Sequence, residues 1–250
     1  MTLRAFGHRG ARALAPENTL AGFRMALELG VDGVELDVHL SADGHVVVMH
    51  DAEVARTTNG KGAVRKLSLE QLRALDAGGG CGSPFGGERI PLLEEVLALA
   101  KGRGRVAIEL KEESPEALGP TVDLVRRLGM QRECSLLSFS PGLMEEARRL
   151  GPEIERELIV VMPIRQVARA RAVGAGVLDL PDLFVTRGVL ERARDAGLLV
   201  GAGITNDERT MRRLAAAGVD ILYTDRPDLL LRVLADMGLR PAAQSPKAVD

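Results

Sequence analysis

The sequence has almost no excess of one charge, because 33 lysines and arginines and 35 aspartates and glutamates leave a formal net charge of −2. Proteins that bind nucleic acid or anionic membranes through their overall field usually carry a basic excess. The balance therefore argues against a nucleic-acid partner and against stable association with a membrane. We expect a small-molecule substrate and a chain that is a monomer or a homodimer.

Long apolar runs are also missing. None approaches the roughly 20 residues that a membrane-spanning helix needs, and the longest are strand-sized, such as Leu158–Met162. The N-terminal segment MTLRAFGHRGARALAPENT lacks the apolar centre of a signal peptide. These absences predict a cytoplasmic protein.

Cysteine is nearly absent. Cys81 and Cys134 lie far apart and form no CxxC pattern, so we interpret both as reduced structural thiols. A reducing compartment agrees with this interpretation.

Short apolar segments alternate regularly with amphipathic ones. The apolar segments predict strands near residues 4–8, 33–39, 105–110, 134–138, 155–162, 175–180, 198–203 and 220–223. The amphipathic segments predict helices near residues 19–29, 91–101, 115–129, 141–150, 164–173, 186–196, 207–217 and 226–237. Strict strand–helix alternation is typical of a parallel sheet.

Eight such units predict an α/β protein of the closed (β/α)₈ TIM-barrel class. One domain would span residues 1–238, followed by a polar tail over 239–250. A doubly wound open sheet is the alternative, but no glycine-rich dinucleotide-binding motif follows the first strand.

One segment interrupts the alternation, between about residues 40 and 90. It contains a further strand-like run at His45–His50, a helical stretch at Leu67–Leu75 and a glycine-rich loop at Gly78–Gly82. Because it follows the C-terminal end of a strand, it should lie on the catalytic face of the barrel, as a small subdomain or lid.

Polar side chains gather at the predicted strand ends, where barrel enzymes place their active sites. They are His8 and Arg9, then Glu35 and Asp37, then His50, and finally Glu109 and Lys111. Two histidines suit an acid–base pair, and the arginine and lysine suit phosphate oxygens.

Glu35 and Asp37 are two residues apart on one strand, so they point the same way and repel each other. A divalent cation, Mg²⁺ or Ca²⁺ with Mn²⁺ as a further candidate, would offset that cost, with Glu109 as a third ligand. The alternatives are salt bridges to nearby arginines and an ordinary Glu109–Lys111 pair. We interpret His39 and His45 as surface residues.

Together these residues favour metal-assisted attack on a phosphodiester. They also resemble the glycerophosphodiester phosphodiesterases of the bacterial cytoplasmic type, from Phe6 to about Leu231. The matching strings are His8-Arg9-Gly10, Pro16-Glu17-Asn18-Thr19, Glu35-Leu36-Asp37-Val38, Asp43-Gly44, Val48-Met49-His50-Asp51, Asp76-Ala77-Gly78, Arg89-Ile90-Pro91, Glu109-Leu110-Lys111, Ser138-Phe139 and Thr224-Asp225-Arg226-Pro227.

The resemblance implies hydrolysis of glycerophosphodiesters to an alcohol and sn-glycerol 3-phosphate with a divalent cation. It implies His8 and His50 as the acid–base pair, with Arg9 and Lys111 on phosphate. It also implies Glu35, Asp37 and Glu109 as metal ligands, with Glu17 and Asn18 supporting the site. Asn18 or Thr19 would in addition cap the first helix.

The sequence departs from the family in its aromatic residues. The family's Trp-Thr-Val-Asn string corresponds to Gly203-Ile204-Thr205-Asn206, and the chain has no tryptophan. We therefore expect intact chemistry but an altered substrate preference, either in the leaving group or in the glycerol moiety. The rival hypotheses are a metal-dependent lyase or isomerase acting on another phosphorylated molecule, and a non-catalytic scaffold that would have lost some of these polar positions.

Overall fold

The structure, a computed structural model, describes residues 3–79, 83–162 and 164–241. Eight parallel strands form a closed barrel, as predicted. They are β1 Arg4–Gly7, β2 Gly33–Leu40, β4 Arg105–Leu110, β5 Cys134–Ser138, β6 Glu155–Ile159, β7 Val177–Leu180, β8 Leu199–Ala202 and β9 Ile221–Thr224. The barrel closes because β1 pairs with both β9 and β2.

A helix follows each barrel strand and packs on the outside of the sheet. These helices are α1 Leu20–Leu29, α3 Leu93–Ala100, α4 Leu118–Arg127, α5 Pro141–Leu150, α6 Gln166–Ala172, α7 Arg187–Asp195, α8 Glu208–Ala217 and α9 Pro227–Asp236. Every predicted unit is therefore found, and the corrections concern element ends.

The strand predicted over 155–162 ends at Ile159, where its pairing with β7 stops. Because the apolar run continues beyond that point, the prediction from composition placed the end of the strand too late. The helix predicted over 115–129 begins instead with a 3₁₀ turn at Pro115–Ala117.

Local signals explain where the helices begin. Thr19, not Asn18, caps α1, because its hydroxyl accepts a hydrogen bond from the backbone N–H of Gly22. The side chains of Ser140 and Asp207 cap α5 and α8 in the same way.

The segment between β2 and α3 has a small apolar core of its own. It contains β3 (Val46–Val48), which pairs antiparallel with β2, and a short helix α2 (Leu69–Arg73). Its buried apolar residues are Val47, Met49, Val54, Val64, Leu72, Ala77 and Ile90. The interpretation of His39 as a surface residue is wrong, because it lies on β2 with 3% exposure, and its Nε2 is 3.1 Å from the carbonyl oxygen of His50.

The barrel interior is packed below the catalytic face by Phe6, Ala107, Leu137, Val177, Ile221 and Tyr223. Cys134 is a buried free thiol, and burial raises its pKa to about 12, which agrees with an inert structural role. Cys81, Gly80 and Gly82 of the glycine-rich loop and residues 242–250 of the predicted tail lie outside the described residues. Within the described ranges, no helix has the length and apolar character needed to cross a membrane.

Candidate active site

A pocket of about 380 Å³ opens at the C-terminal ends of the barrel strands. Most of its polar lining comes from β1, β2 and β4 and the segments after β1 and β3, namely His8, Arg9, Arg12, Glu35, His50 and Glu109. Asp179 on β7 and Tyr223 on β9 also line it. A wider cleft of about 530 Å³ lies between Glu17 and the inserted segment, but neither histidine is among its lining residues. The pocket that holds both histidines is the candidate active site.

Three carboxylates meet at one side of this pocket. Oxygen atoms of Glu35, Asp37 and Glu109 all lie within 4.8 Å of one another, and the three side chains are buried. Asp37 on β2 stands beside Glu109 on β4 in the strand register, which brings them together. An all-oxygen set of this kind fits a hard divalent cation.

The electrostatics of the carboxylates agree with a cation site. Burial and the neighbouring carboxylates raise the pKa of Glu35 well above its usual value. Burial and Asp37 raise the pKa of Glu109 to about 7. Burial also opposes ionisation of Asp37, but Lys111 and Arg9 outweigh it and lower the pKa. Further positive charge at this point would stabilise the ionised triad.

Two cations already touch the triad. Nζ of Lys111 lies 2.6 Å from Oδ1 of Asp37 and 2.6 Å from Oε1 of Glu109. Nε of Arg9 lies 3.3 Å from Oδ2 of Asp37, and its backbone N–H donates to Oε2 of Glu35 at 3.0 Å. The ion pairs considered as the alternative to a metal site are therefore present beside the candidate metal ligands.

Each histidine is held by a carboxylate at the same ring atom. Nδ1 of His8 is 2.6 Å from Oδ1 of Asp225, and Nδ1 of His50 is 2.6 Å from Oδ1 of Asp51. An ionised carboxylate only accepts hydrogen bonds, so each Nδ1 carries the proton and each Nε2 is left for chemistry. Nε2 of His8 is 3.9 Å from Oε2 of Glu35.

The two orienting aspartates received no role from the sequence. Asp225 follows β9 and lies in the matched string Thr224-Asp225-Arg226-Pro227, to which no role was assigned. The rule that identified the other residues, polar side chains at strand ends, applies equally to Thr224-Asp225 and would have found it. Asp51 belongs to the matched string Val48-Met49-His50-Asp51, but no function was assigned to it.

Glu17 and Asn18 lie behind the polar wall of the pocket. Glu17 accepts hydrogen bonds from Arg9, Arg12 and Arg56. Burial of Glu17 opposes its ionisation, but Arg56 and Arg9 outweigh this effect and lower its pKa to about 2. Nδ2 of Asn18 donates to Oδ2 of Asp37 at 2.8 Å. Both residues therefore contact side chains of the site.

Comparison with known proteins gives a consistent result. The model of the glycerophosphoryl diester phosphodiesterase family matches residues 8–229. A glycerophosphodiester phosphodiesterase of Caldanaerobacter subterraneus subsp. tengcongensis is 34% identical over 242 residues, which cover 92% of this chain and 97% of that protein.

Solved structures agree in fold. A putative glycerophosphoryl diester phosphodiesterase from Silicibacter pomeroyi superposes with a TM-score of 0.86 at 30% identity, covering 95% of this chain and 94% of that one. An Oleispira antarctica phosphodiesterase, solved in complex with the product sn-glycerol-3-phosphate, gives a TM-score of 0.86 at 30% identity, covering 93% and 97%. The chain belongs to the glycerophosphoryl diester phosphodiesterase family, a family of phosphoric diester hydrolases.

Proposed function

We propose that this protein hydrolyses glycerophosphodiesters to an alcohol and sn-glycerol 3-phosphate with the help of a divalent cation. The observation that carries the proposal is the arrangement of two carboxylate-held histidines beside three buried carboxylates in one pocket. The phosphodiesterase from Oleispira antarctica, solved with sn-glycerol-3-phosphate, supports the choice of product.

Glu35, Asp37 and Glu109 would hold the cation, which when bound supplies positive charge to the phosphoryl oxygens. Mg²⁺, Ca²⁺ and Mn²⁺ all suit this oxygen set. Arg9 and Lys111 stand beside the carboxylates and would add positive charge on the phosphate as substrate enters.

In our proposal His50 is the general base and His8 the general acid. Burial lowers the pKa of His50, so the ring is neutral and able to take a proton at neutral pH. Nδ1 of His8 is held by Asp225 and its Nε2 lies 3.9 Å from Oε2 of Glu35, so we assign to His8 the donation of a proton to the leaving alcohol. The base would activate either a hydroxyl of the substrate's glycerol or a water molecule.

The rival hypotheses have less support. A non-catalytic scaffold would have lost some polar positions, yet all seven that the sequence identified are present around the pocket. Among the described residues, no feature favours lyase or isomerase chemistry over hydrolysis.

The deciding measurement is metal-dependent release of glycerol 3-phosphate from glycerophosphocholine and glycerophosphoethanolamine. His8→Ala and His50→Ala should each lower kcat by roughly 10²–10⁴-fold, the usual loss for a general acid or base. His45→Ala removes an exposed histidine and should leave kcat unchanged. Absence of hydrolysis with Mg²⁺, Mn²⁺ and Ca²⁺ each supplied would refute the proposal.

A further inference from the structure

One wall of the active-site pocket contains an acidic side chain that the proposed chemistry does not use. Asp179 lines the pocket from β7. In the ring of eight strands, β7 is four strands away from β2 in either direction, so Asp179 lies across the barrel from Glu35. A substrate whose phosphodiester lies beside the carboxylate triad could therefore reach Asp179 only with one of its two alcohol groups.

The carboxyl group of Asp179 is buried without a partner. The residue is 5% exposed, and neither Oδ1 nor Oδ2 has a hydrogen-bond partner among the described residues. Asp179 pairs in the strand register with Gly201 on β8, where a Cβ atom would lie only 1.7 Å from Oδ1. Glycine at that position thus makes room for the carboxyl inside the barrel. Because buried polar atoms nearly always have partners, these two oxygens point to a missing ligand.

The surroundings of Asp179 favour a positively charged ligand. Burial and the neighbouring Glu157 raise the pKa of Asp179 well above its usual value, and the opposing effect of Arg4 is smaller. Leu137, Ile159 and Leu180 line the pocket on the same side of the barrel. A carboxyl in such surroundings is costly to ionise unless a cation accompanies it.

The protein's own basic groups in the pocket are engaged elsewhere. Four basic side chains line the pocket, and each already contacts another carboxylate. The pairs are His8 with Asp225, His50 with Asp51, and Arg9 and Arg12 with Glu17. Within the described part of the chain, the pocket therefore offers Asp179 no basic partner, and the cation has to come from the substrate.

We propose that Asp179 binds a primary ammonium group on the alcohol that leaves, so that the preferred substrates are glycerophosphodiesters of amino alcohols such as ethanolamine. The ammonium N–H groups would donate to the two unpartnered oxygens, and the low polarity of this wall would strengthen the attraction. A neutral alcohol would leave the carboxyl unpaired. This inference rests on the proposed function and narrows its substrate class.

The test compares glycerophosphoethanolamine with glycerophosphopropanol, in which a methyl group replaces the ammonium. A hydrogen bond to a charged group contributes roughly tenfold or more in binding, so kcat/KM should be about tenfold or more higher for glycerophosphoethanolamine. Asp179→Asn keeps the shape of the side chain and removes its charge, so it should lower this preference by about tenfold. Release of glycerol 3-phosphate measures both reactions.

A neighbouring aspartate supplies the matched control. Asp182 follows the same strand, in the 3₁₀ turn Asp182–Phe184, but it is not among the residues that line the pocket. Asp182→Asn should leave the preference unchanged. The two alcohols also differ in reactivity as leaving groups, but that difference is the same for every variant, so a change in preference reports binding.

The outcomes separate the two proposals. If neither substrate is hydrolysed, the proposed function fails and this inference falls with it. If both are hydrolysed equally well by the unaltered protein, the ammonium site is overturned while the proposed function stands. If glycerophosphoethanolamine is preferred but Asp179→Asn keeps the full preference, Asp179 does not bind the ammonium and the inference is likewise overturned.

Discussion

The two histidines of the active site owe their orientation to aspartates on different elements. Asp225 follows β9 and Asp51 follows the strand of the insertion, yet each accepts a hydrogen bond from a histidine Nδ1 at 2.6 Å. His8 draws the pKa of Asp225 down against the effect of burial, so this carboxylate is ionised at neutral pH. Each aspartate thus selects the tautomer whose Nε2 is left for chemistry.

Replacing Asp51 should move the acidic limb of the pH–rate profile. The hydrogen bond from Asp51 raises the pKa of His50, the proposed base, against the larger effect of burial. Asp51→Asn should therefore move the acidic limb of the kcat/KM profile to lower pH. An acidic limb that stays in place in this variant would show that His50 is not the base that the limb reports.

Replacing Glu35 tests whether the carboxylate triad holds a metal ion. Glu35→Gln keeps the shape of the side chain but removes one charge from the oxygen set, so the metal concentration for half-maximal activity should rise roughly tenfold or more. Glu157→Gln is the control, since Glu157 is equally buried inside the barrel but lies outside the triad. An unchanged metal titration for Glu35→Gln would remove Glu35 from the ligand set.

At the scale of elements, one arginine of the inserted segment joins it to Glu17 in the loop before α1. Arg56 lies on a 3₁₀ turn, Val54–Arg56, and its guanidinium makes two hydrogen bonds to Glu17 and two to Asp51. Asp51 in turn holds His50, and Glu17 holds Arg9. The insertion therefore helps to position groups on both sides of the phosphate-binding region.

Arg56→Lys should lower kcat by roughly tenfold, because an ammonium cannot make paired hydrogen bonds to two carboxylates at once. Arg56 is partly exposed, so its ion pairs should contribute no more than about 1 kcal/mol to the free energy of unfolding. Arg149→Lys, which alters an exposed pair with Glu146 on α5, is the control. A large loss of thermal stability with unchanged kcat in the folded enzyme would show that Arg56 only holds the fold together.

At the scale of the whole molecule, the barrel interior holds a second acidic group that the proposed mechanism does not use. Asp179 on β7 is 5% exposed, and burial together with Glu157 raises its pKa well above the usual value. Glu157 itself accepts a hydrogen bond from the hydroxyl of Tyr223 at 2.6 Å. A carboxyl whose pKa is raised by folding disfavours the folded state once the pH exceeds its unfolded pKa.

Asp179→Asn should therefore stabilise the protein, and the gain should grow as the pH rises above about 4. Below that pH the carboxyl is protonated in both states, so the gain should vanish. Thermal unfolding from pH 4 to 8 measures this, with the exposed Asp123→Asn as the control. A difference in Tm that is independent of pH would show that ionisation of Asp179 is not the cause.

The barrel and most of the polar residues of the site could be predicted from the sequence. Alternating strand and helix periods specify parallel strands, and parallel strands bring their C-terminal ends to one face, so His8, Glu35 and Glu109 had to lie near one another. The ends of elements were less accurate, as at Ile159, because apolar composition continues where pairing stops.

Which distant residues meet depends on the tertiary structure. Closure between β1 and β9 brings Asp225 to His8 across 217 positions, and folding back of the insertion brings Arg56 to Glu17. The fold also buries His39 and brings exposed apolar side chains from the loops after β5 to β8 to one side of the barrel. These contacts depend on the order in which the strands close into a ring and on the directions of the side chains. Neither can be predicted from a local pattern of residues.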